Sequence, residues 1–229
     1  MKLAVIPARG GSKRIPRKNI KIFHGKPMIA WSIEAAIKSN CFDRIIVSTD
    51  DEEIAAISKE YGAEIPFIRP VELSDDHTDT ISVVAHAIET LETQGYIGTE
   101  ICCIYATAPF IDKDDIRKGL SQLVLPLIDY AISVTSYAFP IQRAIRINKK
   151  GTLSMVNSEK FYCRSQDLEE VFHDAGQFYW GKSNAWKKRK PVFGENTIPI
   201  ILPRKRVQDI DTYEDWENAE LIFRAYERK

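Results

Sequence analysis

The chain has 229 residues, of which 44% are hydrophobic and 28% are charged, as in one ordinary globular α/β domain. Its 32 Lys and Arg residues balance 32 Asp and Glu residues, which argues against bulk binding of nucleic acid or a membrane surface. No apolar run of about 18 residues is present to span a bilayer. The first residues do not resemble a signal peptide, and the four cysteines form no C-x-x-C pair. We therefore expect a cytoplasmic protein with reduced thiols.

Apolar strands alternate with amphipathic helices along the first 138 residues. We predict strands over residues 3–8, 44–50, 65–70, 100–110 and 130–136. Helices are predicted between them, with Pro27 in the first turn of one helix, Gly62 ending the next and Asp112 capping the last. Apolar strands that alternate with helices indicate a largely parallel, Rossmann-like sheet with helices on both faces.

The alternation stops between residues 139 and 171, where no helical periodicity occurs. Alternating segments flank Lys149-Lys150-Gly151, which is typical of a hairpin turn. We predict a small β insertion within an α/β domain made of residues 1–138 and 172–229. Two further strands, over 173–181 and 198–203, precede a closing helix. That helix is marked by Tyr213, Trp216, Phe223 and Tyr226.

A cation-rich segment follows the first strand and contains no acidic residue before Glu34. Its cations are Arg9, Lys13, Arg14, Arg17, Lys18, Lys21 and Lys26. Gly10 and Gly11 allow close approach of the backbone to a ligand, and Ser12 adds a hydroxyl group. Backbone N–H groups combined with point charges are suited to a polyphosphate. The spacing matches neither the P-loop nor G-x-G-x-x-G, and a solvated basic loop or a targeting tract is the alternative.

Polar side chains follow several of the predicted strands. They are the basic loop after the first strand, Ser48, Thr49 and Asp50 after the second, Arg69 after the third, Thr107 after the fourth, and Asp209 and Asp211 after the last. In open α/β sheets, ligands bind beyond the carboxyl ends of the strands. The sequence therefore predicts one binding site at that edge.

Asp209 and Asp211 alternate around Ile210, so an extended chain directs both carboxylates to one side. Two hard oxygen ligands beside a polyphosphate predict Mg²⁺. The alternative is local, because Asp211 precedes a helix whose Thr212 and Asp215 have the spacing of a capping box. We attribute a second acidic cluster, within residues 75–79, to the dipole of the helix that follows it.

Several collinear motifs resemble the cytidylyltransferases that make CMP-activated sialic acids and related keto-sugars. They are ARGGSKRIPRKN (8–19), STDDEEIA (48–55), IRPVELSDDHT (68–78), CCIYATAPF (102–110), RSQDL (164–168), DAGQFYW (174–180) and QDIDTYEDW (208–216). Within that family, FPIQRA (139–144), RSQDL and HDAGQFYWG are most similar to the branch that acts on pseudaminic acid. YATAP (105–109) departs from the Gln-Pro-Thr-Ser-Pro stretch usual in the sialic acid enzymes.

The resemblance implies a nucleotide-diphospho-sugar transferase-like fold and transfer of CMP from CTP to a nonulosonic acid, with loss of pyrophosphate. The expected catalytic residues are Arg9, Lys13 and Asp211. The expected nucleotide-binding residues are Ala8, Arg9, Gly10, Gly11, Ser12, Lys13, Lys18, Asn19, Arg69, Thr78 and Thr80. The expected sugar-binding residues are Thr107, Arg143, Arg164, Gln166, His173, Gln177 and Tyr179. The expected Mg²⁺ ligands are Asp209 and Asp211.

The resemblance also implies a homodimer that pairs through the β insertion. From the residues themselves, the apolar side chains of its hairpin need a partner surface, which the parent sheet or a second subunit supplies. Sialic, legionaminic and Kdo acids stay open as sugars. Two other classes of protein also stay open: a nucleotide-binding regulator without catalysis, and a nicotinamide oxidoreductase, which lacks support from the glycine spacing.

Overall fold

A six-stranded sheet organises the protein in the computed structural model, which describes the backbone of residues 1–227 and the side chains of residues 1–225. The strands of the chain are β1 (Lys2–Pro7), β2 (Ile22–Phe23), β3 (Lys26–Pro27), β4 (Arg44–Ser48), β5 (Glu100–Ile104), β6 (Tyr130–Ser136), β7 (Ile145–Ile147), β8 (Leu153–Met155), β9 (Phe172–Lys182) and β10 (Thr197–Ile201). The large sheet has the order β10-β6-β9-β5-β1-β4. All of its neighbours run parallel except β9, which is antiparallel to β5 and β6.

Helices cover both faces of this sheet. They are α1 (Met28–Ser39), α2 (Glu52–Glu60), α3 (Thr80–Thr93), α4 (Lys113–Gln122), α5 (Ser183–Lys187) and α6 (Tyr213–Glu227). Successive residues of β1 point to opposite faces, so Ala4 and Ile6 pack with α1 and α4 while Leu3 and Val5 pack with α3 and α5. Over the part of the chain that the structure describes, no helix combines the length and apolar character needed to traverse a bilayer.

The predicted elements are largely confirmed, including the helix cap at Asp112, whose Oδ1 accepts a hydrogen bond from the Asp114 N–H. The strand predicted over residues 65–70 is wrong. Glu64 alone bridges to β4, and Arg69 N–H donates to the Thr49 carbonyl. Pro66 and Pro70 lack the N–H groups that a continuous ladder would require. The short helix α5 was not predicted, and the side chain of Tyr226 lies outside the described residues.

The predicted insertion contains an antiparallel hairpin formed by β7 and β8, in which Ile147 is paired with Leu153. Gly151 closes the turn with a φ of +76°, in the left-handed region that favours glycine. Apolar side chains of the insertion remain exposed, notably Ile145, Ile147, Leu153 and Val156 at 61%, 74%, 65% and 61%. The parent sheet therefore leaves these four side chains uncovered.

Candidate active site

A cleft of about 280 Å³ opens beyond the carboxyl ends of β1 and β5. Its lining includes most of the polar residues that the sequence places after the strands. The lining residues used below are Arg9, Ser12, Lys13, Arg14, Lys18, Asn19, Arg69, Asp75, Asp76, Thr78, Thr80, Cys103, Tyr105, Thr107 and Asp211. The prediction of one binding site at that edge is confirmed for the basic loop, Arg69, Thr107 and Asp211, whereas Ser48, Thr49, Asp50 and Asp209 lie outside the lining of the cleft.

The backbone of the basic loop is anchored to the loop that follows β4. Ala8 N–H donates to the Ser48 carbonyl, and Gly10 N–H donates to Asp50 Oδ1 at 2.9 Å. A Cβ atom at Gly10 would lie 2.6 Å from Asp51 Oδ2, whereas one at Gly11 would meet no atom within 4 Å. Gly10 is therefore required by protein packing, while Gly11 faces open space.

The cations of the loop divide into two groups. Arg9 and Lys13 both pair with Asp76, and Arg9 Nη1 lies 2.7 Å from Asp76 Oδ1. Lys18 and Arg14 instead reach Asp211, at 3.2 Å and 3.0 Å. The cleft thus has an anion-binding surface whose charges are balanced by two separate carboxylates.

Asp211 lines the cleft beside Lys18, whereas Asp209, two residues before it, lies outside the lining. Burial first, and then the adjacent negative charge of Asp211, raise the pKa of Asp209. The cap of α6 is made by Thr212 and Asp215, since Asp215 Oδ2 accepts hydrogen bonds from the N–H groups of Asp211 and Thr212. The Asp211 carboxylate makes none of these cap contacts and remains in the cleft.

Two repelling carboxylates at the edge of an anion site fit a hydrated Mg²⁺ ion. Mg²⁺ usually keeps several water ligands and is held by one or two carboxylates together with substrate phosphates. Among the side chains of residues 1–225, no group of three or more His, Cys, Asp or Glu is arranged to hold a metal ion. Asp209 and Asp211 therefore fit a metal whose remaining ligands come from water and a phosphorylated substrate.

Buried polar side chains also line the cleft. Asn19 is buried, and its Nδ2 donates to the Arg9 carbonyl at 2.9 Å. Arg69 is also buried, with Nε donating to Ser74 Oγ, and burial lowers its pKa. Thr80 begins α3 and Thr78 lies two residues before it, and both line the cleft together with Tyr105. These residues give the cleft a mixed polar and apolar lining that suits a nucleoside.

A chain of hydroxyl groups leads from Tyr105, in the lining of the cleft, into the sheet. Tyr105 Oη donates to Tyr179 Oη at 3.1 Å, and Tyr179 Oη donates to Asp174 Oδ2. Burial raises the pKa of Tyr105 to about 12, and its hydrogen bond with Tyr179 opposes that rise. Burial also raises the pKa of Tyr179. Both phenols therefore keep their protons at neutral pH.

The residues expected to bind sugar do not gather in one cavity of the single chain. Thr107 lines the cleft, His173 lines a neighbouring depression with Asp174, and Gln166 lines a third depression against the insertion. Arg143 bonds Ser165 Oγ at 3.2 Å and Arg164 pairs with Asp167 at 2.8 Å, both exposed on the insertion.

Gln177 and Tyr179 are both buried. Gln177 Nε2 donates to the Arg206 carbonyl, while its Oε1 has no partner within the residues that the structure describes. Gln177 therefore contributes to the junction between β9 and the segment after β10. Tyr179 reaches the cleft only through Tyr105.

Sequence reasoning assigned no site role to Asp76, Arg14 or Tyr105. Asp76 was attributed to the helix dipole, but Asp79 makes that cap by accepting from Ser82 N–H at 2.9 Å. Residues 75–79 contain more acidic side chains than one helix cap uses. That excess was the signal in the sequence that could have identified Asp76 as a site residue. Nothing in the sequence alone pairs Tyr105 with Tyr179, because they are 74 residues apart.

Comparisons with known proteins agree with this geometry. Residues 3–217 match the family described as cytidylyltransferase. A pseudaminic acid cytidylyltransferase of Campylobacter jejuni subsp. jejuni serotype O:2 is 43% identical over 97% of this chain and 96% of the relative. A CMP-N,N'-diacetyllegionaminic acid synthase of Legionella pneumophila is 30% identical over 96% of this chain and 95% of the relative. A solved CMP:2-keto-3-deoxy-manno-octonic acid synthetase complexed with CTP is similar in fold, with a TM-score of 0.72 and 17% identity over 98% and 99% of the two chains.

Proposed function

The chain belongs to the cytidylyltransferase family, and we propose that it joins CTP and pseudaminic acid to form CMP-pseudaminate and pyrophosphate. The observation that carries this proposal is the make-up of one cleft, whose lining combines the cations Arg9, Lys13 and Lys18 with the buried polar side chains of Asn19 and Arg69. A nucleoside triphosphate needs both kinds of group, because it joins a charged phosphate chain to a polar base.

In this reaction the anomeric hydroxyl oxygen of the sugar attacks the α-phosphorus, the bond to pyrophosphate breaks and the hydroxyl proton is lost. The protein must bind negative charge and align the attack. We assign Arg9 and Lys13 to the departing phosphates and Lys18 to the phosphate nearest Asp211. All three cations line the cleft, so their positive charges are available to the phosphates once the triphosphate has displaced the carboxylate that pairs with Arg9 and Lys13.

We propose that Asp209 and Asp211 hold Mg²⁺. The proximity of the two carboxylates supports this: burial first, and then the negative charge of Asp211, raise the pKa of Asp209, and a cation held between the two would offset that repulsion. When bound, the ion supplies Lewis-acid stabilisation of charge on phosphate oxygens. Lys18 and Arg14 contact Asp211 and hold its carboxylate at the edge of the cleft.

Pseudaminic acid as the sugar is supported by the identity with the Campylobacter protein over nearly the whole chain. The carboxylate of such a sugar needs a fork of donors of the kind that arginine supplies. Arg143 and Arg164 are exposed on the insertion, outside the cleft of their own chain. We therefore propose a homodimer in which residues 139–171 form the contact between subunits and bring an arginine to the partner's sugar site.

The proposal is tested by incubating the purified chain with CTP, MgCl₂ and one sugar acid at a time, and measuring released pyrophosphate. Pseudaminic acid is expected to give the highest kcat/KM among pseudaminic, legionaminic, sialic and Kdo acids. Replacing CTP with UTP is the matched control and should abolish most turnover. Equal activity on all four acids would contradict the sugar assignment, and absence of turnover with every acid would contradict the proposed reaction.

A further inference from the structure

Arg17 is a cation of the basic loop that does not face the cleft. The other four Lys and Arg residues between positions 9 and 18 line the cleft, whereas Arg17 lies outside its lining. The Arg17 guanidinium instead forms a bidentate ion pair with Asp51, in which Nη2 donates to Asp51 Oδ1 at 3.0 Å, and it also pairs with Glu53. Its charge is therefore used within the protein.

Asp51 holds the two ends of the basic loop together. Its Oδ2 accepts a hydrogen bond from Arg17 Nη1 and would lie 2.6 Å from a Cβ atom at Gly10. The neighbouring Asp50 accepts the Gly10 N–H at 2.9 Å. Residues 10 and 17 are thus anchored to two adjacent carboxylates after β4, and residues 11–16 form a closed loop between these anchors.

The backbone of Arg17 reverses the direction of the chain. Its φ is +56°, in the left-handed region that a residue with a Cβ atom adopts at a cost. The Arg17 carbonyl accepts hydrogen bonds from the N–H groups of Ile20 and Lys21, at 3.0 and 2.9 Å. The next residue, Lys18, lines the cleft and reaches Asp211 at 3.2 Å. The turn therefore separates a side chain that pairs with the loop after β4 from one that enters the cleft.

We propose that Arg17 is a positioning residue which, through its ion pair with Asp51, keeps the basic loop closed and directs Lys18 to the substrate phosphates. The pair offsets the cost of the left-handed turn. Asp51 is a firm anchor because it also caps α2, accepting the Ile54 N–H at 2.9 Å. The hydrogen bond from Arg17 lowers the pKa of Asp51, so its carboxylate stays ionised at neutral pH.

This inference rests on the proposed function, since it concerns how the same cleft binds phosphates. It differs from a direct electrostatic role of Arg17 in the sign of one effect. Asp51 places a negative charge against the anion-binding loop, so loss of that charge would strengthen phosphate binding if charge alone mattered. If the ion pair positions the loop, loss of that charge weakens phosphate binding instead.

Asp51→Asn is the sharpest test because asparagine caps helices as well as aspartate does, so α2 keeps its cap. Titration calorimetry of the full chain with inorganic pyrophosphate should show about ten-fold weaker binding, the lower end of what a hydrogen bond between charged groups contributes. Glu52→Gln is the matched control, because it removes the same charge from an adjacent, exposed carboxylate. It should keep the wild-type affinity to within about two-fold.

Two substitutions of Arg17 test the turn independently of Asp51. Both remove the guanidinium charge, but glycine adopts a φ of +56° freely whereas alanine does not. Arg17→Ala should therefore bind pyrophosphate about three- to ten-fold more weakly than Arg17→Gly. A contribution from charge alone would be lost equally in both variants.

A folded Asp51→Asn protein that binds pyrophosphate as tightly as the wild type, or more tightly, would overturn the inference. Equal losses in Asp51→Asn and Glu52→Gln would do the same. If Asp51→Asn does not fold, equal affinities of Arg17→Ala and Arg17→Gly overturn it. Each of these results leaves the proposed function standing when the wild type binds CTP. A wild-type protein that binds neither CTP nor pyrophosphate contradicts the proposed function and the inference with it.

Discussion

The carboxylate of Asp76 lies between the guanidinium group of Arg9 and the ammonium group of Lys13 and forms an ion pair with each. The hydrogen bonds from Lys13 and then Arg9 lower the pKa of Asp76. An internal anion thus occupies the two cations that we assign to the departing phosphates. Entry of a triphosphate must exchange this carboxylate for phosphate oxygens.

Asp76→Asn should therefore strengthen binding of inorganic pyrophosphate. The competing negative charge is lost while Arg9 and Lys13 remain, and we expect affinity to rise about three- to ten-fold, a modest gain because exposed ion pairs are weak. Calorimetry at low salt measures the change. Glu72→Gln is the control, because Glu72 lies on the same exposed segment and its carboxylate pairs with no cation among the described side chains, those of residues 1–225. Equal gains in both variants would indicate a general charge effect.

Asp211→Ala should lower kcat by orders of magnitude with little change in the melting temperature. Its carboxylate faces Lys18 and Arg14 in the cleft, and the cap of α6 is made by Thr212 and Asp215 instead. Thr212→Ala is the opposite case and should lower stability by about 0.5–2 kcal/mol while turnover is largely kept. Near-normal turnover in folded Asp211→Ala would remove the metal assignment.

Gly10→Ala and Gly11→Ala should differ sharply although the residues are adjacent. A methyl group at Gly10 would lie 2.6 Å from Asp51 Oδ2, and Asp51 also pairs with Arg17. The loop must shift, so we expect loss of both CTP binding and stability, by about 1–3 kcal/mol for the latter. Gly11→Ala meets open space and should change stability by less than about 0.5 kcal/mol. Urea unfolding of both variants measures the loss of stability in each, and equal losses would contradict the prediction.

The exposed hairpin should be covered by a second subunit. Light scattering at micromolar protein is expected to report about twice the 26.1 kDa mass of the chain. Ile147→Lys, at a side chain that is 74% exposed in the single chain, should shift the mass towards one chain. Lys149→Glu, a charge change in the adjacent turn, is the control for altered surface charge. A fully active monomer would end the proposal.

A shared sugar site can be tested by mixing two inactive proteins. Arg143→Ala removes the arginine of the insertion, and Asp211→Ala removes a carboxylate of the cleft. If Arg143 acts on the partner's site, mixed dimers contain one site with both residues intact, and up to about a quarter of the sites regain activity on statistical pairing. Activity that never exceeds the sum of the separate variants would show that Arg143 acts within its own chain or not at all.

The sequence by itself determined the layers of the fold and the anion-binding loop. Apolar runs and helical periodicity are local properties, so the runs around Ile6 and Ile46 predicted buried strands of a sheet covered by helices on both faces. The seven cations near Gly10 likewise lie within one short segment. The false strand at 65–70 also arose locally, because its apolar residues suggested pairing that Pro66 and Pro70 prevent.

Only the tertiary structure decided which distant groups meet. The antiparallel direction of β9 and its bulge join Asp174 to Tyr179 and Tyr105, and the segment before α3 brings Asp76 to Lys13 over 63 residues of separation. Such contacts depend on the register of neighbouring strands and on the path of a loop. No local pattern encodes either of these, because a shift of one residue in register reverses which face a side chain occupies.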